Sequence, residues 1–244
     1  RPGGEGEVSR PLRVADLFAG AGGLSEGFRQ AGYRILAGSD VDPDACATYA
    51  LNFPEARAVC GDIRELRVRR EVLEAAAGAD VVVGGPPCQA FSQVRNHCRL
   101  IDDSRNSLYR EFVRIVGKIE PRVFVMENVP GLEQMGVKEQ VLEDLALGGA
   151  YRVTEQVLDA ADFGVPQTRR RIVFLGVHSS LRLDPPVMPG SGATERFWLE
   201  RRNGNGRVRY EVVERAGLFP ADGQLSDPAD TTFVSAEQAI GDLA

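Results

Sequence analysis

Leu12-Arg-Val-Ala-Asp16-Leu-Phe-Ala-Gly20-Ala-Gly22-Gly23-Leu24 is the stretch that decides the fold. Leu12–Phe18 is rich in apolar residues and short enough to be a buried strand. Three glycines follow within four residues, and Leu24–Ala31 has helical composition. Glycine lets the backbone turn sharply and come close to a ligand, and the first amides of the next helix attract anions. Such a strand, turn and helix serve either as a cofactor loop or as a plain tight turn.

The same alternation continues outward. Arg34–Ser39 reads as a second strand, followed by a helix at Pro43–Asn52 with proline in its first turn. Arg57–Val59 and Val68–Ala77 repeat the pair. Val81–Gly84 is a fourth strand, Ser107–Lys118 a helix and Val123–Asn128 a fifth strand. A helix over Lys138–Leu147 leads to strands at Arg152–Leu158 and Arg171–Val177. Strands alternating with helices predict an α/β fold, a doubly wound, mostly parallel sheet with helices on both faces.

Beyond about Leu183 the pattern changes to turn residues, including Pro189-Gly-Ser-Gly and Asn203-Gly-Asn-Gly. Phe197–Arg201 and Arg207–Val213 have the spacing of a hairpin, and Ser235–Gln238 has capping-box spacing for a last helix at Glu237–Leu243. The expected organisation is a disordered leader at 1–11, a catalytic domain at 12–183 and a loop and hairpin extension at 184–244.

Composition excludes several classes. With 244 residues and 43% hydrophobic content, the chain can bury a full core. It lacks the run of about eighteen apolar residues that a membrane helix needs, and its N-terminus has no signal-peptide core. Cys46, Cys60, Cys88 and Cys98 form no Cys-x-x-Cys pair, and only His97 and His178 could assist, so no metal site is expected. Scattered thiols fit a reducing cytoplasm. The net charge of −6 argues against a polyanion-binding surface over the whole molecule, though not against a local basic cleft.

Four groups of residues carry chemistry. The first is the glycine loop, with Phe18, Gly20, Gly22 and Gly23, taken together with two acidic positions. Asp40 ends the second strand about twenty residues beyond the glycines, where a carboxylate can hold a ribose hydroxyl pair. Asp62, in Gly61-Asp62-Ile63, follows the third strand and could accept from an adenine amino group; either residue could instead be a helix cap. Their joint placement after three successive strands points to an adenosine-type cofactor. The second group is Gly84-Gly-Pro-Pro-Cys88-Gln89, where two prolines stiffen the turn that presents Cys88 beyond an apolar strand. The third is Glu127-Asn128-Val129-Pro130, whose carboxylate serves either the thiol's target or an ion pair with arginine. The fourth is Gln167-Thr-Arg169-Arg-Arg171. Alternation in an extended segment puts Arg169 and Arg171 on one face, which is either a site or a solvated charge run.

In this order these four motifs resemble the DNA cytosine-5 methyltransferase family, over about residues 12–180. Asp102-Asp-Ser-Arg-Asn-Ser-Leu108 is a weaker family feature. The resemblance implies that S-adenosylmethionine lies over the glycine loop between Phe18, Asp40, Val41, Asp62 and Ile63, with Pro87 and Leu108 nearby. It implies that Cys88 is a nucleophile toward carbon 6 of a flipped-out cytosine, that Glu127 protonates or hydrogen-bonds the ring nitrogen, that Arg171 steadies the cytosine carbonyl oxygen and that Arg169 holds the site together. Gln89–Arg105 resembles the loop that closes over the base, with Gln89, Ser92, Gln93, Arg95 and Arg99 offering donors to DNA.

The family's usual continuation, a target-recognition domain with two further motifs, has no counterpart in this sequence. That predicts a second chain or a further segment as partner for double-stranded DNA, and the family's common prokaryotic setting is restriction–modification. The same chemistry on tRNA, or a non-catalytic partner role, are the alternatives. A zinc-dependent cytosine deaminase is excluded because its ligands are lacking.

Overall fold

In a computed structural model of the protein, the described residues are 10–87, 107–130, 138–165, 167–188, 196–202 and 208–214. Their elements in chain order are β1 (Arg13–Leu17), α1 (Gly23–Gln30), β2 (Arg34–Asp40), α2 (Pro43–Asn52), β3 (Arg57–Cys60), α3 (Leu66–Ala75), β4 (Val81–Gly84), α4 (Ser107–Ile119), β5 (Val123–Asn128), α5 (Lys138–Ala146), β6 (Tyr151–Asp159), β7 (Arg170–His178), β8 (Arg196–Arg202) and β9 (Val208–Glu214). The contacts divide the chain into two units. One comprises Arg1–Gln156 and Ile172–Pro186, the other Val157–Arg171 and Val187–Ala244.

Seven strands form one sheet in the order β3-β2-β1-β4-β5-β7-β6. β1 to β5 are parallel to their neighbours, and β5 meets β7 antiparallel. This is the doubly wound, mostly parallel α/β sheet that the sequence predicts. The order reverses between β1 and β4, so the chain leaves a crevice at the carboxyl ends of these strands.

Burial follows from side-chain alternation. On one face Val14, Ile35, Val81 and Val83 pack with Tyr49 of α2 and with Phe53 at its C-terminal cap. On the other, Ala15, Leu17 and Val59 meet Val72 and Ala76 at α3. Phe112 of α4 meets Phe124 of β5 edge-on at 6.2 Å between ring centres. Phe124 in turn meets Tyr151 at 5.1 Å.

Local chemistry sets the element ends. Asp42 caps α2 by accepting from the amides of Asp44 (2.8 Å) and Ala45 (3.3 Å), with Pro43 following it. α1 starts differently, with Gly22 as its cap in a left-handed conformation (φ 99°) and no side-chain cap. A side chain there would also collide with Phe53, 2.2 Å from where the β-carbon would stand. α3 begins two residues before the expected Val68, because the Glu65 amide bonds back to the Asp62 carbonyl (2.9 Å) and starts the turn early. Arg10, expected in the leader, already donates to Asp80 (3.3 Å).

In the second unit the chain after β6 turns through a 3-10 segment at Ala160–Phe163, with Asp159 accepting from the Ala161 amide. β8 and β9 pair antiparallel there, from Arg196↔Glu214 to Arg202↔Val208, which matches the predicted hairpin. No helix among the described residues is long and apolar enough to cross a membrane.

Candidate active site

A cavity of about 290 Å³ opens at the carboxyl ends of the parallel strands. Its walls are Phe18 after β1, Ser39, Asp40 and Val41 at the end of β2, Gly61, Asp62, Ile63 and Arg64 after β3, Gly85 and Pro87 after β4, and Leu108 on α4. The structure therefore brings together Phe18, Asp40, Val41, Asp62, Ile63, Pro87 and Leu108, seven expected residues from five separate stretches of the chain. Sequence reasoning missed Ser39, Gly61, Arg64 and Gly85 as wall residues. The only signal for them was their position next to residues already singled out.

Phe18 holds a left-handed backbone conformation (φ 59°). A bulky residue there costs on the order of 1–3 kcal/mol, and such strain collects at functional sites. The Phe18 ring and its geometry are thus maintained against a local cost.

Gly20, Gly22 and Gly23 are not on the cavity wall. They build the turn behind it, and Asp40 fastens that turn. One Asp40 oxygen accepts from the Gly20 amide (2.8 Å) and the other from the Asp42 amide (3.0 Å). A carboxylate has about four acceptor sites, so two amides leave capacity for further donors in the cavity. Asp62 is held more fully. It accepts from the amide of Arg64 (2.9 Å) and from its guanidinium, and these bonds lower its pKa. The carboxylate therefore stays ionised beside the cavity and shares its acceptor sites with Arg64.

Beneath the loop lies a buried chain of polar groups that the sequence did not announce. Asp16 Oδ2 accepts from the Ser25 amide (3.1 Å) and hydroxyl (2.8 Å), and the Ser25 hydroxyl meets the Tyr49 hydroxyl at 2.8 Å. Burial pushes the Asp16 carboxyl up to about 7, opposed by the Ser25 bonds.

On the neighbouring strands, Glu127 Oε2 lies 3.3 Å from where a β-carbon on Gly85 would stand. The carboxylate thus rests against the start of the Pro-Pro turn, and any side chain at position 85 would press on it. Asn128, buried, donates to the Pro86 carbonyl at 3.2 Å and accepts from the Val129 amide at 2.7 Å. The Glu-Asn-Val segment is in this way tied to the turn that leads into Cys88. Cys88 itself, with Gln89, Ser92, Gln93, Arg95 and Arg99, lies outside the described residues, as does the expected helix at Glu237–Leu243.

Arg169 and Arg171 belong to the second unit. The Arg169 amide donates to Asp159 (2.9 Å), and the strand begins only at Arg170. Arg169 thus lies just outside the regular strand, its amide held by Asp159, while Arg171 is the second residue of the strand. Arg169 is exposed and Arg171 half-buried, with one Arg171 guanidinium nitrogen donating to the Arg170 carbonyl (2.8 Å). Among the described residues no group of acidic, histidine or cysteine side chains could hold a metal ion.

The family model for C-5 cytosine-specific DNA methylases matches residues 12–207. The chain belongs to that family. Among named relatives, it is 43% identical over 189 residues to the Type II methyltransferase M.XorII of Xanthomonas oryzae, covering 75% of this chain and 43% of that one. It is 38% identical to M.AquIA of Picosynechococcus, covering 67% of this chain and 71% of that one. A solved structure described as a DNA modification methyltransferase encoded within an E. coli prophage superposes with a TM-score of 0.59 at 34% identity, over 73% of this chain and 52% of that one. DNMT2 of Spodoptera frugiperda, at 23% identity and a TM-score of 0.55, shares the fold. The chain spans under half the length of M.XorII.

Proposed function

We propose that this chain is the cofactor-binding and nucleophile-bearing part of an enzyme that methylates carbon 5 of cytosine in DNA. The observation that carries the reading is the position of the Glu127 carboxylate against Gly85, at the root of the Pro86-Pro87-Cys88 turn and beside the cavity. A thiol and an acid on adjacent strand ends, next to a cofactor-sized cavity, are what addition to a pyrimidine ring requires.

The cavity fits S-adenosylmethionine. Phe18, Val41, Ile63 and Leu108 offer apolar walls to a purine, and Asp40 retains acceptor capacity for ribose hydroxyls. When bound, that cofactor supplies an electrophilic methyl group. Cys88 adds to carbon 6 of the base, which makes carbon 5 nucleophilic. Glu127 donates a proton or hydrogen bond to the ring nitrogen and offsets the charge that addition builds there. Arg171 steadies the carbonyl oxygen, and Arg169 supports the site. Elimination then removes the carbon 5 proton and frees Cys88.

Because carbon 6 is buried in a stacked duplex, the base must be flipped out at a cost of a few kcal/mol. Gln89, Ser92 and Arg95 are the donors assigned to the DNA around it. Target recognition falls to the further segment or second chain that would complete the enzyme.

The test is covalent trapping. Duplex DNA carrying 5-fluorocytosine is incubated with S-adenosylmethionine and the protein, with and without the C-terminal region of a relative such as M.XorII. Fluorine cannot leave as a proton does, so a denaturant-stable adduct is expected with wild type and none with Cys88→Ala. Glu127→Gln should slow methyl transfer roughly a hundred- to ten-thousandfold. An adduct that persists in Cys88→Ala, or methyl label reaching tRNA but never duplex DNA, would overturn the reading.

A further inference from the structure

Cys46 and Cys60 are not used by the proposed reaction, yet the fold sets both against Asp40, a residue of the cavity wall. Ala58 of β3 packs on the Tyr49 and Phe53 cluster, while Val59 faces α3. Alternation puts Cys60, two residues beyond Ala58, on the α2 face. Cys46 is buried one helical turn before Tyr49, on the inward side of α2. Its thiol donates to the Asp40 carbonyl (3.4 Å), and Asp40 is the residue paired with Cys60 across β2 and β3. Both cysteines thus stand against the Asp40 backbone, one from α2 and one from β3, and the presence of Cys60 helps to keep the Cys46 thiol protonated. Both are free, Cys46 buried and Cys60 exposed.

We propose that Cys46 and Cys60 form a reversible thiol–disulfide modification site that takes small disulfides such as oxidised glutathione and, when oxidised, weakens cofactor binding. The coupling rests on the assignment of the cavity to S-adenosylmethionine. The exposed Cys60 thiolate attacks one sulfur of the small disulfide and expels one thiol, leaving a mixed disulfide. Cys46 then loses its proton to water and displaces the second thiol, closing the intrachain bond. Two protein thiols are oxidised by two electrons, and one small disulfide is reduced to two thiols. Burial first, and then Cys60 itself, hold the Cys46 thiol up at about 12. Cys60 is therefore the attacking group, and its conversion to the mixed disulfide removes one of the influences that keep Cys46 protonated.

The consequence for the cavity follows from one carbonyl. Asp40 O accepts from the Gly61 amide (2.9 Å) as well as from Cys46. It thus joins α2 to the ends of β2 and β3, which supply Ser39, Asp40, Val41, Gly61 and Asp62 to the wall. A disulfide removes the Cys46 donor and draws the two chain segments to bonded separation, and the shift falls on this wall.

The test uses the full chain with Cys88→Ser and Cys98→Ser, so that only this pair reacts, and reads S-adenosylhomocysteine binding by calorimetry. After oxidised glutathione, mass spectrometry should show a peptide linking Cys46 to Cys60, and affinity should fall about tenfold. Dithiothreitol should restore it, and adding Cys60→Ser should abolish both effects. A stable glutathione adduct on Cys60 without a cross-link would overturn the pairing. A cross-link with unchanged affinity would overturn the coupling. Reduced protein that binds no S-adenosylhomocysteine would overturn the cavity assignment and the coupling with it, while the cross-link alone would still decide the pair.

Discussion

Asp16 brings a carboxylate to 1% exposure under the glycine loop, and among the described residues its Oδ1 has no hydrogen-bond partner. Burial, with the nearby Asp40 charge adding to it, raises the carboxyl from 3.8 to about 7. The native state therefore holds a proton that the unfolded chain releases near pH 4. The stability this proton brings is complete below about pH 4 and is lost as pH rises to about 7, on the order of 4 kcal/mol across the window. Asp16→Asn keeps the acceptor for Ser25 and cannot ionise. Urea unfolding from about pH 5 to pH 8 should show wild type losing stability relative to Asp16→Asn as pH rises. Parallel profiles for the two proteins would contradict the assignment. Asp40 is the complementary case at this scale. Its place at the end of β2 was readable from spacing, but its bonds to Gly20 and Asp42 were not, because they depend on how two turns meet in space.

At the scale of elements, β5 shows how a strand can both build the core and position chemistry. Phe124, Met126 and Asn128 are buried on one side, with Val123, Val125 and Glu127 half-buried on the other. The alternation aims Glu127 along the face opposite to Asn128, and Asn128 anchors the strand end to Pro86. Asn128→Ala leaves the buried Pro86 carbonyl without its donor and should cost about 1–3 kcal/mol in urea unfolding. Asn128→Asp keeps the acceptor for the Val129 amide but not the donor to Pro86, so it should be destabilised too. Wild-type stability in that variant would show that the Pro86 bond contributes nothing. β7 carries the opposite lesson. Its apolar run was legible, yet its start at Arg170 is fixed by the bond from the Arg169 amide to Asp159, ten residues earlier in the chain.

For the whole molecule, the cavity draws its walls from the ends of β1 to β4 and from α4, so a ligand there should hold separate segments in their folded arrangement. S-adenosylhomocysteine at a hundredfold excess over its Kd should stabilise the protein by about 2.7 kcal/mol, read as an upward shift in thermal midpoint. Absence of a shift at saturating ligand would remove the cavity from consideration as the cofactor site.

The sequence by itself determined the strand and helix alternation, the glycine turn after β1, the stiff turn before Cys88 and the acidic positions after β2 and β3. These are local properties, set by side-chain polarity, by proline and glycine backbone limits and by spacing along one segment. Only the tertiary structure decided that β7 sits between β5 and β6, that Arg64 engages Asp62, that Asp40 latches the loop, and that Cys46 and Cys60 both stand against Asp40. Each of these depends on which distant segments share a surface. That is settled by the packing of α2, α3 and α4 on the two faces of the sheet, and no single stretch of the chain encodes it.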